Sequence, residues 1–198
     1  MKTPKIGLTG TIGSGKTLVS KIFLNLDIPV YYADIEAKKL YNDREVIHNL
    51  AGLFSQKVLN TDGSVNTKIL ADIVFGNPKE LQKINNLIHP LLKDRFLNWC
   101  NSQSSCYVVC ESAIIFEAGW RDIFDKVICI ETPYELVCER VQRRDGISED
   151  KVKKRILSQM NQQDKVKMSN FVVYNDDKQL VIPQILNIHS QLSKVSMN

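Results

Sequence analysis

Apolar residues in this chain fall into short continuous runs and into longer stretches with helical spacing, and their order predicts an α/β protein. Five runs are typical of buried strands, at 5–9, 28–33, 106–110, 126–131 and 170–174. The first two runs are separated by a stretch with helical spacing, which makes a βαβ unit with a right-handed crossover. The pattern therefore predicts a parallel five-stranded sheet flanked by helices.

The strand signal disappears between the second and third runs. Helical spacing follows at 46–54, 68–75 and 79–100, which predicts an all-helical insertion over 42–101 that binds substrate. Pro90 is expected to kink the longest helix or to begin a new segment. His89 is either a capping or packing residue or a substrate contact.

The segment GTIGSGKT at 10–17 matches G-x-x-x-x-G-K-[ST], the phosphate-binding loop of nucleoside triphosphate enzymes. It follows a predicted strand and opens a helix, whose N-terminal N–H groups favour an anion. Lys16 is expected to reach the β- and γ-phosphates, and the Thr17 hydroxyl to bind Mg²⁺. A chance glycine-rich turn would not require this strand and helix. The predicted nucleotide-binding residues of the loop are Gly10, Thr11, Ile12, Gly13, Ser14, Gly15, Lys16, Thr17 and Leu18.

Two acidic residues follow predicted strands at the sheet edge where the phosphate loop is expected. Asp34 comes after the second strand and opens a helical stretch. It is either an N-cap or a carboxylate that faces the γ-phosphate, and we favour the second role because a phosphate loop lies nearby. Glu111 ends the third strand after four apolar residues, as does the carboxylate that holds Mg²⁺ in phosphate sites.

Arg140 and Arg144 lie four residues apart and share a helix face. They precede a turn at 145–146 and a further helix, which predicts a lid over 138–167 that closes on a triphosphate. Guanidinium groups suit this role because they clamp phosphoryl oxygens bidentately. A solvated basic face is the alternative. Gln159 and residues 162–165 are expected to continue the polar side of the lid.

Composition narrows the possible partners. The 198 residues are 43% hydrophobic and 24% charged, as in ordinary globular proteins. A net charge of +4, without interleaved basic and aromatic residues, argues against a nucleic-acid partner. The five cysteines lack a C-x-x-C pair and favour a reducing cytosol over a disulfide or zinc site. No apolar run is long enough to span a bilayer, so we expect a cytoplasmic monomer or weak homo-oligomer without a membrane partner.

Seven segments in this order resemble the dephospho-coenzyme A kinase family over nearly the whole chain. They are LTGTIGSGKT at 8–17, ADIEAK at 33–38, a DG turn at 62–63 followed by IVF at 73–75, IHPLL at 88–92, IIFE at 114–117, RVQRRD at 140–145 and FVVYND at 171–176. The chain departs from the usual family pattern at Tyr32, Ala113 and Asn170.

The resemblance implies ATP- and Mg²⁺-dependent phosphorylation of the ribose 3′-hydroxyl of dephospho-coenzyme A. It also implies a P-loop kinase core at 1–41, 102–137 and 168–198, beside the helical coenzyme A-binding insertion and the mobile lid. Matched by position, Asp34 would orient or deprotonate the hydroxyl, with Lys16 and Arg140 as further catalytic residues. Arg144 would lie near the nucleotide. His89 and Glu117 would contact the substrate.

Two other functions remain open from the residues alone. Another small-molecule P-loop kinase would act on a nucleotide or a sugar, and the His89-Pro90 pair and the turn at 62–63 argue against it. A regulatory switch would bind a nucleotide in order to change partners. A GTP-specific switch would want N-K-x-D to read guanine, and this sequence has no such segment.

Overall fold

A computed structural model describes residues 3–74 and 76–195, so Phe75 of the quoted segments and the last residues of the predicted core lie outside the described ranges. The strands are β1 (Lys5–Thr9), β2 (Val30–Tyr32), β3 (Val108–Glu111), β4 (Lys126–Glu131) and β5 (Phe171–Tyr174). The α-helices are α1 (Lys16–Asn25), α2 (Ala33–Leu40), α3 (Arg44–Phe54), α4 (Thr67–Val74), α5 (Pro78–Asn101), α6 (Tyr134–Asp145), α7 (Glu149–Leu157), α8 (Gln162–Met168) and α9 (Val181–Val195).

The five strands form one parallel sheet in the order β2-β3-β1-β4-β5, which confirms the predicted fold. The central strand β1 is buried along its whole length, because the faces of a parallel sheet are covered by its crossover segments. Strand β2 is shorter than the predicted run at 28–33: Pro29 lacks an N–H group for the ladder, and Ala33 already begins α2.

The two faces of the sheet have different neighbours. On one face Ile6 and Leu8 of β1 join a buried cluster with Phe23 of α1 and Ile185 of α9. On the other face Gly7 meets the segment after β3, where an added Cβ would lie 2.8 Å from Ile115 Cδ1. Alternate residues of β1 thus pack against a layer on each face of the sheet. This packing fixes the position of the end of β1, from which the following loop begins.

The chain forms two compact units, Met1–Tyr32 with Cys100–Asn198, and Ala33–Trp99. The second unit contains α2, α3, α4 and most of α5. Its Asp43 accepts a hydrogen bond from the Glu45 amide at 3.1 Å and caps α3, and it pairs with Arg95 at 3.0 Å. The domain boundaries expected from the sequence stay a prediction.

Two features predicted for this unit have different outcomes. The turn at Asp62-Gly63 is confirmed: the Ser64 amide donates to Asp62 Oδ1 at 2.9 Å, and Gly63 has a φ of 81°. For Pro90 the sequence predicted either a kink or the start of a new segment. The second alternative is wrong, because α5 runs through Pro90 as a single helix. Within residues 3–74 and 76–195, no helix is long and apolar enough to cross a bilayer.

Candidate active site

The segment 10–15 connects β1 to α1, and its backbone explains its glycines. Gly13 has a φ of 78°, and an added Cβ would lie 2.6 Å from Val141 Cγ2 of α6. Gly15 has a φ of 96°, and a Cβ there would collide with the side-chain nitrogen of Asn175. Both positions therefore exclude other residues by conformation and by space. We call residues 10–17 the phosphate loop.

The backbone amides of the phosphate loop fall into two groups. The amides of Thr11 and Ile12 donate to side-chain oxygens of Gln162 and Gln159, at 3.2 and 2.9 Å, and the Ser14 amide donates to the Thr11 carbonyl at 3.2 Å. The amides of Gly13, Gly15 and Thr17 have no acceptor among the residues that the structure describes. Such N–H groups at the start of a helix form an anion-binding site.

The side chains of the loop complete this cationic, donor-rich surface. The Lys16 ammonium is buried and donates to the carbonyl oxygens of Gly10 and Thr11, both at 3.1 Å, so it lies across the loop. The Ser14 hydroxyl is buried and has no partner within the described ranges. Thr17, in the first turn of α1, is exposed. A polyphosphate would satisfy these groups.

The carbonyl oxygen of Ser14 is held by two further strands of the sheet. It accepts from Thr132 Oγ1 after β4 at 3.0 Å and from Asn175 Nδ2 after β5 at 2.8 Å. Both donors are buried. They fix the second half of the phosphate loop from the carboxyl edge of the sheet.

The residues expected to hold Mg²⁺ are Thr17 and Glu111. Glu111 ends β3 beside Leu8, and its carboxylate accepts from Ser20 Oγ at 3.4 Å. Burial, and next the charge of Glu111, raise the pKa of Tyr32. In the described residues no three His, Cys, Asp or Glu side chains form a metal site. A hydroxyl and a carboxylate nevertheless fit Mg²⁺, because this ion keeps waters and takes phosphate oxygens.

The two arginines predicted to cover a triphosphate have different partners. Arg140 pairs with Asp177 Oδ1 at 2.6 Å and donates to the Asn175 carbonyl at 3.4 Å, so it lies beside the residue that holds the phosphate loop. Arg144 is exposed and donates to both oxygens of Asp145, at 2.7 and 3.1 Å. The hydrogen bond with Arg144 is the main reason that the pKa of Asp145 falls to about 2.

The segment 159–165 was expected to continue the polar side of the lid; Gln163 and Asp164 are exposed, but other polar residues of this segment bind the protein itself. Gln159 and Gln162 bind the phosphate loop, as described above. Lys165 is wholly buried, lies 2.8 Å from Glu117 Oε1 and donates to the Ala113 carbonyl at 2.6 Å. The available sequence signal was Asn161, which caps α8 by accepting from the Gln163 amide at 2.8 Å. A helix that begins there places residues 162 and 165 on one face.

Glu117 faces this segment as well. Its Oε1 accepts from the Met160 amide at 2.9 Å in addition to the Lys165 ammonium. The substrate role predicted for Glu117 thus concerns a carboxylate that already has two protein donors.

Asn170, one of the three departures from the family pattern, has a structural role, since its Oδ1 accepts from the Val127 amide at 2.9 Å.

Asp34 and His89 belong to the second unit. Asp34 is exposed in the first turn of α2, which begins at Ala33, so the capping role is wrong. His89 lies inside α5 and is half-buried, which excludes capping there too. Burial lowers the pKa of His89, so its imidazole is neutral at neutral pH. Packing and substrate contact remain open for this residue.

Comparison with known proteins adds a consistent match. A family model described as dephospho-CoA kinase matches residues 5–180. A dephospho-CoA kinase from Bacteroides fragilis is 37% identical over 186 residues, which cover 93% of this chain and 90% of the relative. One from Porphyromonas gingivalis is 37% identical over 185 residues, 92% of this chain and 91% of its own.

Solved structures agree with this match. A Thermus thermophilus protein superposes with a TM-score of 0.87 at 26% identity and covers 96% of this chain and 98% of its own. A dephospho-CoA kinase from Campylobacter jejuni has a TM-score of 0.70 at 25% identity, with 96% and 98% covered. A shikimate kinase from Bacteroides thetaiotaomicron, with a TM-score of 0.52 at 12% identity and 98% and 99% covered, shares the fold alone.

Proposed function

We propose roles for individual residues from one premise: this chain belongs to the dephospho-CoA kinase family and catalyses the final step of coenzyme A synthesis. The reaction is transfer of the γ-phosphoryl group of ATP to the ribose 3′-hydroxyl of dephospho-coenzyme A. The observation that carries the proposal is the phosphate loop: the amides of Gly13, Gly15 and Thr17, which have no acceptor in residues 3–74 and 76–195, lie in the same loop as the Lys16 ammonium.

The phosphate loop binds the triphosphate and compensates its charge. Phosphoryl transfer needs positioning and charge stabilisation more than covalent help from the protein. The open loop amides donate to phosphate oxygens, and Lys16 moves its hydrogen bonds from the Gly10 and Thr11 carbonyls to the β- and γ-phosphates. Because the loop amides already face the site before ATP arrives, the Lys16 side chain is the group of the loop that has to reorganise.

Magnesium would be held by Thr17 and by the carboxylate of Glu111, and when bound it neutralises charge on the phosphate oxygens. Ser20 donates to this carboxylate and so orients it toward the edge of the sheet that carries the phosphate loop. The hydroxyl of Thr17 and the carboxylate of Glu111 belong to α1 and β3, so both ligands of the ion would be held by regular secondary structure.

The acceptor hydroxyl is aligned by Asp34, whose exposed carboxylate is able to accept the hydroxyl proton. Arg140 stabilises charge on the transferring group, and Arg144 exchanges Asp145 for the nucleotide when it binds. The neutral imidazole of His89 contacts dephospho-coenzyme A by hydrogen bonding rather than by charge.

A coupled assay of ADP release, with and without dephospho-coenzyme A, tests this proposal. Release should require the acceptor, and the variants Lys16→Ala and Asp34→Ala should lose at least about 100-fold in kcat while remaining folded. Lys21→Ala is the matched control, because Lys21 is an exposed lysine of the same helix as Lys16. ADP release that ignores the acceptor, or full activity of Lys16→Ala, would overturn the proposal.

A further inference from the structure

Two glutamines outside the phosphate loop hold its first half. Gln159 Oε1 accepts from the Ile12 amide at 2.9 Å, and Gln162 Oε1 accepts from the Thr11 amide at 3.2 Å. A backbone N–H can only face the oxygen of a side-chain amide, which fixes the orientation of both glutamines. Consecutive loop amides are therefore paired with two glutamines of one distant segment, Gln159 in the connection before α8 and Gln162 at the first residue of α8.

Gln162 is itself anchored to the sheet, and the residue next to Gln159 is held by Glu117. Gln162 Nε2 donates to the Ile130 carbonyl of β4 at 2.9 Å, which leaves its oxygen directed at the phosphate loop. Met160, next to Gln159, donates its amide to Glu117 at 2.9 Å. The side-chain amide of Gln162, bonded through both its oxygen and its nitrogen, is therefore a rigid support for the Thr11 amide.

Ile12 is also held through its side chain. It packs against the buried cluster that joins α6 to α7, formed by Val137, Cys138, Val141 and Val152. The backbone of Ile12 thus binds the connection between α7 and α8, and its side chain packs against α6 and α7, all within the segment 134–168. We call this segment, which runs from α6 to α8, the arm.

These contacts divide the donors of the phosphate loop. The amides of Thr11 and Ile12 are engaged by the arm, whereas those of Gly13, Gly15 and Thr17 have no acceptor in the described part of the chain. Without the glutamines, the first half of the loop would lose the contacts that set its direction. The amides of Gly13, Gly15 and Thr17 would then face a common anion only part of the time, and this loss of preorganisation weakens anion binding.

We propose that Gln159 and Gln162 are positioning residues that hold the phosphate loop in the shape that receives the triphosphate and that connect the arm to ATP affinity. The inference rests on the proposed function for its kinetic consequence. Its structural part, protection of two loop amides by two glutamines, stands without it.

The test uses Gln159→Met, which removes the acceptor at similar size, and Gln159→Glu, which keeps an acceptor oxygen. Gln159 is the cleaner position, because a change at Gln162 also removes the bond to Ile130. Gln191→Met on the exposed side of α9 is the matched control; its side chain donates a hydrogen bond to Asn187 of the same helix at 3.5 Å.

Hydrogen exchange by NMR of the ligand-free protein should show the Ile12 amide exchanging about three- to tenfold faster in Gln159→Met, as expected for loss of one hydrogen bond. Gln159→Glu should keep this amide protected. In the kinase assay Gln159→Met should raise the KM for ATP by about the same factor, with kcat and the KM for dephospho-coenzyme A changed less than about twofold. Gln191→Met should match the unaltered chain in each measurement.

Two exchange results would overturn the inference: an Ile12 amide equally protected in Gln159→Met and in the unaltered chain, or Gln159→Glu losing protection as fully as Gln159→Met. An equal fall in kcat with unchanged KM for ATP would assign Gln159 a role in the reaction step and also contradict it. If the unaltered protein fails to phosphorylate dephospho-coenzyme A, the proposed function fails, and amide exchange still decides the inference.

Discussion

Replacing Lys165 with methionine should destabilise the protein by about 3 kcal/mol, because it leaves a carboxylate without its buried counter-ion. The Lys165 side chain is 0% exposed and lies 2.8 Å from Glu117 Oε1. Removing one partner of a buried ion pair costs about 3–5 kcal/mol. The Glu117 side chain is 23% exposed and keeps the Met160 amide, which places the expected loss at the lower end of that range.

Urea denaturation at pH 7 gives the free energy of unfolding for the variant and its control. Lys167→Met is the matched control: the same substitution in the same helix, with a side chain that is 75% exposed and 3.7 Å from Asp164. An exposed pair of this kind contributes less than about 1 kcal/mol. Adding Glu117→Gln to Lys165→Met should recover about 2 kcal/mol, because no unpaired charge then remains.

The reasoning fails if the free energy of unfolding of Lys165→Met is within about 1 kcal/mol of that of the unaltered chain. The loss of the Lys165 ammonium would then not have left Glu117 as a costly unpaired charge. It also fails if the double variant is as unstable as the two single changes added together. The single variant Glu117→Gln separates the ion-pair role from the substrate role predicted from the sequence. The ion pair predicts a lower free energy of unfolding with little change in the KM for dephospho-coenzyme A, and the substrate role predicts the reverse.

The unit that contains the sheet allows three further tests, at a glycine, an aspartate and a cysteine. Gly13→Ala should abolish ATP binding measured by calorimetry, whereas Gly146→Ala, at a φ of 63° with open space around it, should leave binding intact. The pKa of Asp145 falls to about 2 in the folded protein, so its carboxylate stabilises the fold above the ordinary value of 3.8, and this effect is lost as the pH falls from 3.8 through about 2. In Asp145→Asn, the free energy of unfolding should therefore depend less on pH between these two values. Burial raises the pKa of the Cys129 thiol to about 11, so iodoacetamide at pH 8 should leave it unlabelled until urea unfolds the chain.

The sheet and the phosphate loop were predictable from the residue pattern, because each strand and the loop consist of residues that are contiguous in the chain. Runs of apolar residues are sufficient to mark buried parallel strands, and the predicted strands at 5–9 and 126–131 coincide with β1 and β4. The loop binds through consecutive backbone amides, so its glycines, Lys16 and Thr17 are recognisable from spacing alone. The order of the seven quoted segments was sufficient to indicate the family.

The residues that surround that loop could not be predicted, because packing brings them there from distant parts of the chain. Asn175, Gln159 and Gln162 contact it from well over 100 positions away in the chain. Polar residues on short helices have the same pattern whether they face water or a backbone amide, so spacing placed Lys165 on the polar side of the lid and did not indicate its burial beside Glu117. A hydrogen bond depends on the position and direction of two groups, and for distant residues packing alone sets both.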